Sequence, residues 1–562
     1  MARANRSKDK PMPDPALLLT EAARHFASGD RAAGEAICAR LEAEHADNPG
    51  VPHLRALAAL SLGRTEEALS WIGEAIGRAG TRAGLRFVQG AILVQAGRGA
   101  DALAAFDCAI ERDPGMAQAH AARGLQLLDL ARPAEALGSL ELAVALRPGD
   151  AESHHNRGNA LEDLGRATEA VAAYDTALGL RPDVADTHSA RAVALAGLSR
   201  HAEALDAFDR AVALCPDRAT THAARAAVLH ALRRNQQALE ACDRAIALQE
   251  DFAEAWHNKA IVLLALGCFA EGFPLYEWRW FTKIDRRVVR LFRQPMWDGA
   301  PFPGQTLLIH AEQGLGDTVQ CLRFARAAQS LGDVVFEVAA PLYQLLAAQP
   351  DGPRIVRQGD ALPRFDLHCP AMSLPWLFGT ELATIPPAAP FLRPDPALAA
   401  VWEARIPPRD HRRRIGIAWA GNPGQAADAR RSMPLATMLA AFGPETVVVT
   451  LQKEVPEPDR AVLARATHVV GTGDLHTDMA ETAAAIGRLD LVVSVDTSVA
   501  HVAAAMGVPV WVPLCYAPDW RWLLDRDDTP WYPAMRLFRQ DRPGDWGGPI
   551  GRIADALRTG AA

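Results

Sequence analysis

The chain has 562 residues, of which 49% are hydrophobic and 22% are charged, and its formal net charge is −8. This length predicts several domains, each large enough to bury its own core. The negative charge excludes the overall basic bias that is typical of nucleic-acid-binding proteins. The sequence has no run of about 18 apolar residues, so we expect no membrane-spanning helix.

The N-terminal segment, residues 1–13, is basic and then proline-rich, and we expect it to be disordered. No apolar stretch typical of a signal peptide follows it, so the sequence predicts a cytoplasmic location. The eight cysteines lie far apart and form no Cys-x-x-Cys motif. This spacing favours buried thiols in a reducing compartment over disulfides or a zinc site.

The first half of the chain is an internal repeat with a constant period. Prolines mark this period, at positions 114, 148, 182 and 216. One unit runs from Ala151 to Val184, with small residues at Gly158 and Ala170 and an aromatic residue at Tyr174. Small residues let two helices approach closely, and Tyr174 would fill the gap behind them. The unit resembles the tetratricopeptide repeat (TPR), whose length it shares, and we predict an α-solenoid over residues 14–282.

Such solenoids usually bind a peptide in a concave groove that is lined by the first helix of each repeat. Four histidines and one tryptophan recur once per repeat, from His120 to Trp256, and would form a ladder along that groove. A solvated or structural row is the alternative interpretation. A metal site is not expected, because no i, i+4 ligand pair recurs between repeats. The candidate groove residues are His154, Asn156, His188, His222, Trp256 and Asn258.

The segment from Glu271 to Asp298 breaks the repeat pattern and is rich in aromatic residues and arginine. We predict a last helix followed by a linker, residues 283–303, that docks the solenoid on the next domain. Buried interfaces favour tryptophan, tyrosine and arginine. A simple cap on the solenoid is the alternative.

The hydrophobic period then changes to that of an α/β domain, predicted over residues 304–396. Thr306–His310 is a predicted strand, and a helix is predicted over residues 318–331 before a second strand, Val334–Val338. The turn between them contains Gln313, Gly314, Gly316 and Asp317. Glycines at such a turn let a ligand approach the backbone, although many strand-to-helix turns contain them.

A second α/β domain is predicted over residues 412–545, with a C-terminal helix over residues 546–562. Its inner strands are expected at Ile415–Trp419, Thr446–Leu451 and Leu491–Val495. Gly421 and Asn422 follow the first of these strands, and Lys453 follows the second. Ser432 is a predicted helix cap, and Arg431 would stand beside that helix start, where it could meet a phosphate.

The stretch from Leu491 to Pro513 predicts a strand–helix–strand unit with a helix over Val499–Met506 and a strand over Val508–Val512. Its turn carries Asp496, Thr497 and Ser498, and His501 lies in the first helical turn. Helix N-termini bind anions, so this edge is a candidate site for a nucleotide phosphate. The alternative is that these side chains only cap the helix.

Four pieces of the second half, taken together, resemble bacterial TPR-fused glycosyltransferases of the GT-B type, with two Rossmann-like lobes. Their catalytic half is related to the glycosyltransferase family 9 heptosyltransferases. The matching pieces are QGLGDTVQCLRFA (residues 313–325), IAWAGNP with RRS (417–432), VVSVDTSVAHVAAAMGVPVWV (492–512) and PDWRWLLDRDDTPWYPAMRLFRQ (518–540).

The resemblance implies sugar transfer from a nucleotide-activated donor without a cofactor or an essential metal. It makes Asp317 the general base on the acceptor hydroxyl, with Gln313, Gly314 and Gly316 in the same turn. It also implies a flagellin-like protein acceptor that the repeats recruit, and a CMP-sugar donor if the sugar resembles pseudaminic acid. The donor pocket would contain Trp419, Gly421, Asn422, Arg431, Ser432, Lys453, Asp496, Thr497, Ser498 and His501.

The chemistry supports these assignments independently. A carboxylate must lie within one hydrogen bond of the hydroxyl that attacks the sugar, and cations such as Arg431 and Lys453 must stabilise the leaving phosphate. The acidic run 525–528 is expected to be a solvated loop rather than a metal site.

Three functions remain open from the sequence: a protein O-glycosyltransferase, a heptosyltransferase-like enzyme acting on a glycolipid, and a TPR adaptor that binds a nucleotide without catalysis. The first α/β domain is shorter than its counterpart in heptosyltransferases, which counts against a lipopolysaccharide acceptor.

Overall fold

The computed structural model describes residues 14–80, 82–282, 290–386, 390–422, 424 and 428–560. The predicted disordered segment 1–13 and the first part of the predicted linker, residues 283–289, lie outside the described residues. The chain divides into two compact units, one up to Pro216 and one from Asp217 onwards. This division falls inside the predicted solenoid, so the last helices of the repeat region group with the α/β part of the chain.

The first unit consists of helices that follow one another as repeat pairs. A left-handed residue turns the chain between the two helices of each pair, at the same position of successive repeats: Gly29, Gly63, Gly97, Ala131, Gly165 and Ser199. The helices are α1 (Pro15–Ala27), α2 (Arg31–Glu44), α3 (Gly50–Ser61), α4 (Thr65–Ala79), α5 (Ala83–Gln95), α6 (Gly99–Arg112), α7 (Ala117–Asp129), α8 (Pro133–Leu146), α9 (Ala151–Asp163), α10 (Ala167–Leu180), α11 (Ala185–Gly197) and α12 (His201–Leu214).

Close packing inside a pair depends on small residues, as the sequence predicts. A Cβ atom on Gly158 would lie only 2.4 Å from the ring of Tyr174. The two helices α9 and α10 therefore approach each other through this glycine, while Tyr174 is fully buried behind it.

The second unit begins with four more repeat helices and then continues into two parallel sheets. These helices are α13 (Ala219–Ala231), α14 (Asn235–Leu248), α15 (Ala253–Ala265) and α16 (Phe269–Tyr276), followed by a 3₁₀ helix over Glu277–Phe281. The first sheet has four parallel strands in the order β3-β2-β1-β4. Its elements are β1 (Thr306–His310), α17 (Leu315–Ala328), β2 (Asp333–Val338), α18 (Ala340–Ala347), β3 (Arg354–Arg357), β4 (Leu367–Pro370), a 3₁₀ helix over Ala371–Ser373, and α19 (Leu374–Leu377).

The second sheet has six parallel strands in the order β10-β9-β8-β5-β6-β7. Its strands are short and apolar because helices cover both faces of the sheet. The elements are α20 (Pro396–Arg405), β5 (Arg413–Ala418), α21 (Asp428–Arg431), α22 (Leu435–Leu439), β6 (Thr446–Thr450), α23 (Glu457–Arg465), β7 (Val469–Val470), α24 (Met479–Ile486), β8 (Leu491–Ser494), α25 (Ser498–Ala505), β9 (Val510–Leu514), β10 (Met535–Arg539) and α26 (Gly547–Thr559). Two 3₁₀ helices lie at Gly473–Leu475 and Trp520–Trp522.

The strand orders locate the expected ligand crevices. In an open parallel sheet, a ligand binds outside the carboxyl ends of the two strands where the strand order reverses. These strands are β1 and β4 in the first sheet and β5 and β8 in the second. The turn with Asp317 follows β1, and Asp496 follows β8, so both lie at crevice edges.

Most predicted elements are present with ends shifted by one to three residues, and two of these shifts have a direct physical cause. Helix α17 begins at Leu315, three residues before the predicted start, because the Asp317 carboxylate accepts the Gly314 N–H and closes the first turn. Strand β9 begins at Val510 rather than Val508, since Gly507 has a left-handed φ of +77° and Val510 pairs with Val492. No helix among the described residues is both long and apolar enough to cross a membrane.

The last repeat helix belongs to the core of the α/β part. Phe273 packs edge-to-face on Trp520 with ring centroids 5.6 Å apart, and Phe269 lies 5.7 Å from Trp531. All four aromatic side chains are buried. The last repeat helix therefore does more than cap a solenoid, because its rings belong to a hydrophobic core that also contains residues of both sheets.

This packing predicts how truncated chains behave. A fragment of residues 283–562 loses Phe269 and Phe273 and exposes Trp520 and Trp531, so we expect it to aggregate. A fragment of residues 217–562 retains these contacts and should give a soluble protein with a cooperative melting transition. Size-exclusion chromatography and calorimetry of both fragments test this. A monomeric, cooperatively melting 283–562 fragment would contradict the assignment.

Candidate active site

The two turns that the sequence singled out are brought together by packing between α17 and α25. A Cβ atom on Gly316 would lie 2.7 Å from Cδ2 of His501, so only glycine permits this close approach. The N-terminal turn of α17, which carries Asp317, therefore lies against the helix that follows Asp496. The first sheet supplies one side of the candidate site and the second sheet supplies the other.

Asp317 is held by two contacts at the start of α17. Its Oδ2 accepts the backbone N–H of Gly314 at 2.7 Å, and its Oδ1 lies 2.6 Å from Nη2 of Arg521. Burial raises the pKa of the Asp317 carboxyl, and the positive charge of Arg521 partly opposes that rise. The Asp317 carboxylate is thus oriented by a backbone N–H from the first sheet region and by the Arg521 guanidinium from the second.

Arg521 is the central cation of the site, and its side chain is only 7% exposed. Besides Asp317, it donates to Asp519 Oδ1 at 2.7 Å and to Gln320 Oε1 at 2.9 Å. Its guanidinium carbon lies 4.3 Å from the ring centroid of Trp520. Burial disfavours the charge of Arg521, but the carboxylates of Asp317 and Asp519 outweigh it and raise the pKa of the guanidinium.

Asp496 lies beside this cluster at the carboxyl end of β8. Burial and the negative charge of Asp519 raise the pKa of Asp496 to about 6, against an ordinary value of 3.8. The charges of Arg431 and Arg521 and the indole of Trp522 act in the opposite direction. Such an ionisable group, strongly perturbed at a crevice, is typical of a functional site.

His501 is a neutral, buried member of the site. Its Nδ1 lies 3.0 Å from the hydroxyl of Tyr532, and its ring centroid lies 5.3 Å from that of Trp522. Burial and the charges of Arg521 and Arg323 lower the pKa of His501 to about 3. The imidazole therefore stays uncharged near neutral pH and can exchange hydrogen bonds without adding charge.

The hydroxyls next to Asp496 do not cap α25 in the predicted way. Thr497 occupies the capping position, but its side chain makes no hydrogen bond to the helix amides. It bonds instead to the hydroxyl of Ser494 at 2.9 Å, and Ser498 is the first residue of the helix. The alternative that these hydroxyls only cap the helix is therefore not supported.

A cavity of about 1420 Å³ lies at the same edge of the second sheet. Loops that follow β5, β6 and β7 form its walls, and Gly421, Ser432 and Lys453 are among the lining residues. The Lys453 ammonium donates to the Thr477 carbonyl at 3.1 Å and is exposed. The cavity is larger than the roughly 300–1,000 Å³ of a typical ligand pocket, so it has room for a nucleotide, and it lies at the carboxyl edge of a parallel sheet, where ligands bind.

The predicted role of Ser432 as a helix cap is wrong. Pro434 precedes the first residue of α22, and Ser432 Oγ instead accepts the Gly421 N–H at 2.9 Å and donates to Asp428 at 3.0 Å. Arg431 donates to the same aspartate through Nε at 3.1 Å. The positive charge of Arg431 partly opposes the rise in the pKa of Asp317 and of Asp496, so Arg431 is close enough to act electrostatically on both carboxyls.

Trp419 and Asn422 have structural contacts next to the cavity. The indole of Trp419 is fully buried and donates to Asp459 at 2.7 Å, and the Asn422 side chain accepts the Gly424 N–H at 2.9 Å. Trp419 therefore fixes the loop after β5 from within the core. A direct contact with a donor stays a prediction for both residues.

Several of the candidate groove residues are hydrogen-bonded within the repeats. His154 Nε2 lies 3.0 Å from the Pro148 carbonyl, His188 Nε2 lies 2.9 Å from the Pro182 carbonyl, and Trp256 Nε1 donates to the Glu250 carbonyl at 2.8 Å. Asn258 donates to the Ala223 carbonyl at 3.0 Å, and Asn156 and His222 are buried. The ladder thus fastens helices to the loops before them. Peptide binding by these residues stays a prediction.

Sequence reasoning missed Arg521, Asp519, Gln320 and Tyr532. The segment 518–540 contains one of the motifs that carry the family resemblance, but nothing in its pattern indicates a partner in α17. Two carboxylates of the acidic run 525–528 form ion pairs, Asp525 with Arg233 and Asp528 with Arg526. Across the described ranges, no cluster of three histidine, cysteine or carboxylate side chains forms a metal-ligand set.

The raised pKa of Asp496 predicts a pH-dependent gain in stability when its charge is removed. The pKa of Asp496 is about 6 in the folded state and about 3.8 in the unfolded state. Its contribution to the free energy of unfolding is therefore fully present below pH 3.8 and is lost as the pH rises through about 6. Asn cannot titrate, so the advantage of Asp496→Asn over the wild type should grow between pH 5 and pH 7.5 by about 1 kcal/mol. The Tm of both proteins at the two pH values measures this. Asp163→Asn, at an exposed helix position, is the control, and a pH-independent difference would contradict the prediction.

Known families match both parts of the chain. The tetratricopeptide repeat family matches residues 87–151 and 155–219. Glycosyltransferase family 9 (heptosyltransferase) matches residues 440–512, the range that contains Lys453, Asp496 and His501. The second match starts before β6 and ends within β9, so it contains β6, β7 and β8 of the second sheet but not β5.

Individual relatives match only part of the chain. Protein FlbA of Caulobacter vibrioides is 29% identical over 335 residues, which are 53% of this chain and 54% of FlbA. The match thus spans about half the length of that curated relative. The solved structure of YrrB, a TPR protein with an unusual peptide-binding site, is 23% identical with a TM-score of 0.31, over 34% of this chain and 97% of YrrB. The C-terminal part of a TPR protein from Cytophaga hutchinsonii is 18% identical with a TM-score of 0.35, over 43% and 98%.

The repeat helices, the parallel sheets and the family matches agree with one another. TPR units precede a region that matches glycosyltransferase family 9, and FlbA is similar over about half of its length. These findings together fit a tetratricopeptide-repeat-fused glycosyltransferase.

Proposed function

We propose that the protein transfers a sugar from a nucleotide-activated donor to a hydroxyl of a protein, as a cytoplasmic enzyme of the GT-B type. The observation that carries this proposal is the meeting of Asp317 from the first sheet with Arg521 and Asp496 from the second. A general base and a set of cations then face the same crevice. Protein glycosylation is the reaction class that this arrangement and the repeats support together.

The proposed donor lies along the carboxyl edge of the second sheet. Its nucleotide would occupy the cavity beside Lys453, and its phosphate would lie towards Arg431 and Arg521. Charge-assisted hydrogen bonds from such groups stabilise the negative charge that develops on a leaving phosphate. The proposed chemistry needs no cofactor and no metal ion, because these three cations supply the positive charge.

The proposed acceptor approaches from the side of the first sheet. Asp317 would accept the proton of the attacking hydroxyl as the new bond to the sugar forms. Donor binding would draw the Arg521 guanidinium towards the phosphate. The ion pair with Asp317 would then weaken, which frees the carboxylate to act as the base. The first sheet has only four strands, so we propose that the repeats help to hold a protein acceptor, with a flagellin-like protein as the first candidate.

Removing the base tests the proposed reaction. Asp317→Asn keeps the shape of the side chain, so transfer of labelled sugar should fall by about 10²–10⁴-fold while donor binding persists. Asp333→Asn, an exposed position at the start of β2, is the matched control. Transfer to protein supports the proposal, whereas transfer only to glycolipid would make the protein heptosyltransferase-like. Donor binding with no transfer to any acceptor would favour a non-catalytic adaptor.

Removing cations tests the donor position. Arg431→Ala and Lys453→Ala should each weaken nucleotide-sugar binding by about 10-fold, since each loses a charge-assisted contact with the donor. Calorimetric titration with CMP-, UDP-, GDP- and ADP-sugars measures the affinity and identifies the nucleotide. Arg558→Ala, on the exposed side of α26, is the control. Unchanged affinity in both variants would place the donor elsewhere.

A further inference from the structure

The last repeat differs from the earlier ones at one position, which holds a small residue in every other repeat from the second onwards. Alanine occupies this position once per repeat, and each of these alanines is buried. In the last repeat, the equivalent residue is Arg279, which is also completely buried. The alanines are Ala75, Ala109, Ala143, Ala177, Ala211 and Ala245.

A buried guanidinium needs compensating partners, and Arg279 finds them in the first sheet and in its own segment. It donates to Glu277 Oε1 at 2.5 Å, to Glu312 Oε1 at 3.1 Å and to Ser373 Oγ at 2.8 Å. Its guanidinium carbon also lies 4.2 Å from the ring centroid of Trp280. Burial of a charge is unfavourable unless it is paired and hydrogen-bonded, and here two carboxylates and a hydroxyl supply the pairing.

Two of these partners lie at the crevice edge of the first sheet. Glu312 follows β1 and Ser373 follows β4, the two strands between which the strand order reverses. Glu312 Oε1 also accepts the Met372 N–H at 3.2 Å, and Ser373 Oγ donates to Glu277 at 2.9 Å. Arg279 therefore joins the ends of both strands to the repeat region.

Tyr276 makes the second contact with the same turn. Its hydroxyl lies 2.9 Å from Gln313 Nε2 and 3.3 Å from Gln313 Oε1. Tyr174 occupies the equivalent position of an earlier repeat. The hydroxyl of Tyr174 stays within its own repeat, where it lies 2.8 Å from Asn159 Oδ1 and 3.1 Å from Glu162 Oε2.

The turn that is held in this way is the one that orients the candidate base. Glu312 and Gln313 immediately precede Gly314, whose N–H binds the Asp317 carboxylate at 2.7 Å. A displacement of this turn would move that N–H, and with it the carboxylate. A misplacement of about 1 Å at a reacting group can lower the rate by about 100-fold.

We propose that Tyr276 and Arg279 of the last repeat are positioning residues for Asp317. They hold the turn between β1 and α17 in the geometry that the reaction needs, and this assignment rests on the proposed function for its kinetic consequence. The terminal repeat then has a second role besides any contact with the acceptor, because it is part of the frame of the active site.

The experiment compares two tyrosine-to-phenylalanine substitutions in the full chain. Tyr276→Phe removes only the hydroxyl contact with Gln313 and retains the ring against His257 and Trp520. Tyr174→Phe removes a buried hydroxyl at the same repeat position, away from the turn. We expect kcat to fall by about 3–10-fold in Tyr276→Phe with KM for the donor unchanged, and no change in Tyr174→Phe.

A second readout does not depend on activity. Hydrogen–deuterium exchange of residues 311–319 should be faster in Tyr276→Phe than in the wild type and in Tyr174→Phe. Arg279→Lys should show the same two effects more strongly, since one ammonium cannot replace the forked contacts of a guanidinium. Its melting transition is measured first, and a transition like that of the wild type shows that the core is intact.

The outcomes separate the two proposals. If Tyr276→Phe has wild-type kcat, or if Tyr174→Phe loses as much activity as Tyr276→Phe, the positioning role is overturned. Unchanged exchange of residues 311–319 in Tyr276→Phe also overturns it. If the wild type transfers no sugar, the proposed function fails, while the exchange experiment still shows whether the last repeat holds this turn.

Discussion

The ion pair between Asp317 and Arg521 is the interaction on which the candidate site depends. It joins the start of α17, in the first sheet region, to the loop after β9, in the second. The distance between Asp317 Oδ1 and Arg521 Nη2 is 2.6 Å. The other charged groups take their character from it. Asp519 shares the guanidinium, and Asp496, beside Asp519, has its pKa raised to about 6 by burial and by that neighbouring carboxylate. A compact set of three carboxylates is stable there only because Arg521 and Arg431 balance the charge.

The periodic features of the sequence were sufficient to predict the architecture. The repeat period predicted the helix pairs, and the apolar runs at Thr306, Ile415, Thr446 and Leu491 predicted inner strands of both sheets. Parallel strands place their carboxyl ends at one edge, so the neighbourhood of Asp496 and the loop after β5 also followed from the pattern. These predictions succeeded because each depends on local periodicity and a general packing rule.

Contacts between distant segments could not be predicted in the same way. Serine is a common helix cap, but the capping position of α22 is occupied by Pro434. The hydroxyl of Ser432 instead accepts the N–H of Gly421. Arg521 stands between two tryptophans, and nothing in that stretch indicates that its partners lie in a much earlier part of the chain. Arg279 interrupts a row of alanines, which signals a change at that position. Its partner Glu312 becomes visible only in three dimensions.

The concentration of site contacts in residues 269–281 has a consequence for the evolution of such chains. The hydrogen bonds of Tyr276 and Arg279, which hold the turn before Asp317 from the repeat side, come from this terminal segment. Repeats interact mainly with their neighbours, so whole units far from the end can be duplicated or deleted without disturbing it. We therefore expect the number of repeats to vary in steps of one unit between homologous chains, whereas the terminal unit should be retained together with the α/β part. A change in the length of the array would then alter the reach of the repeats without altering the candidate site.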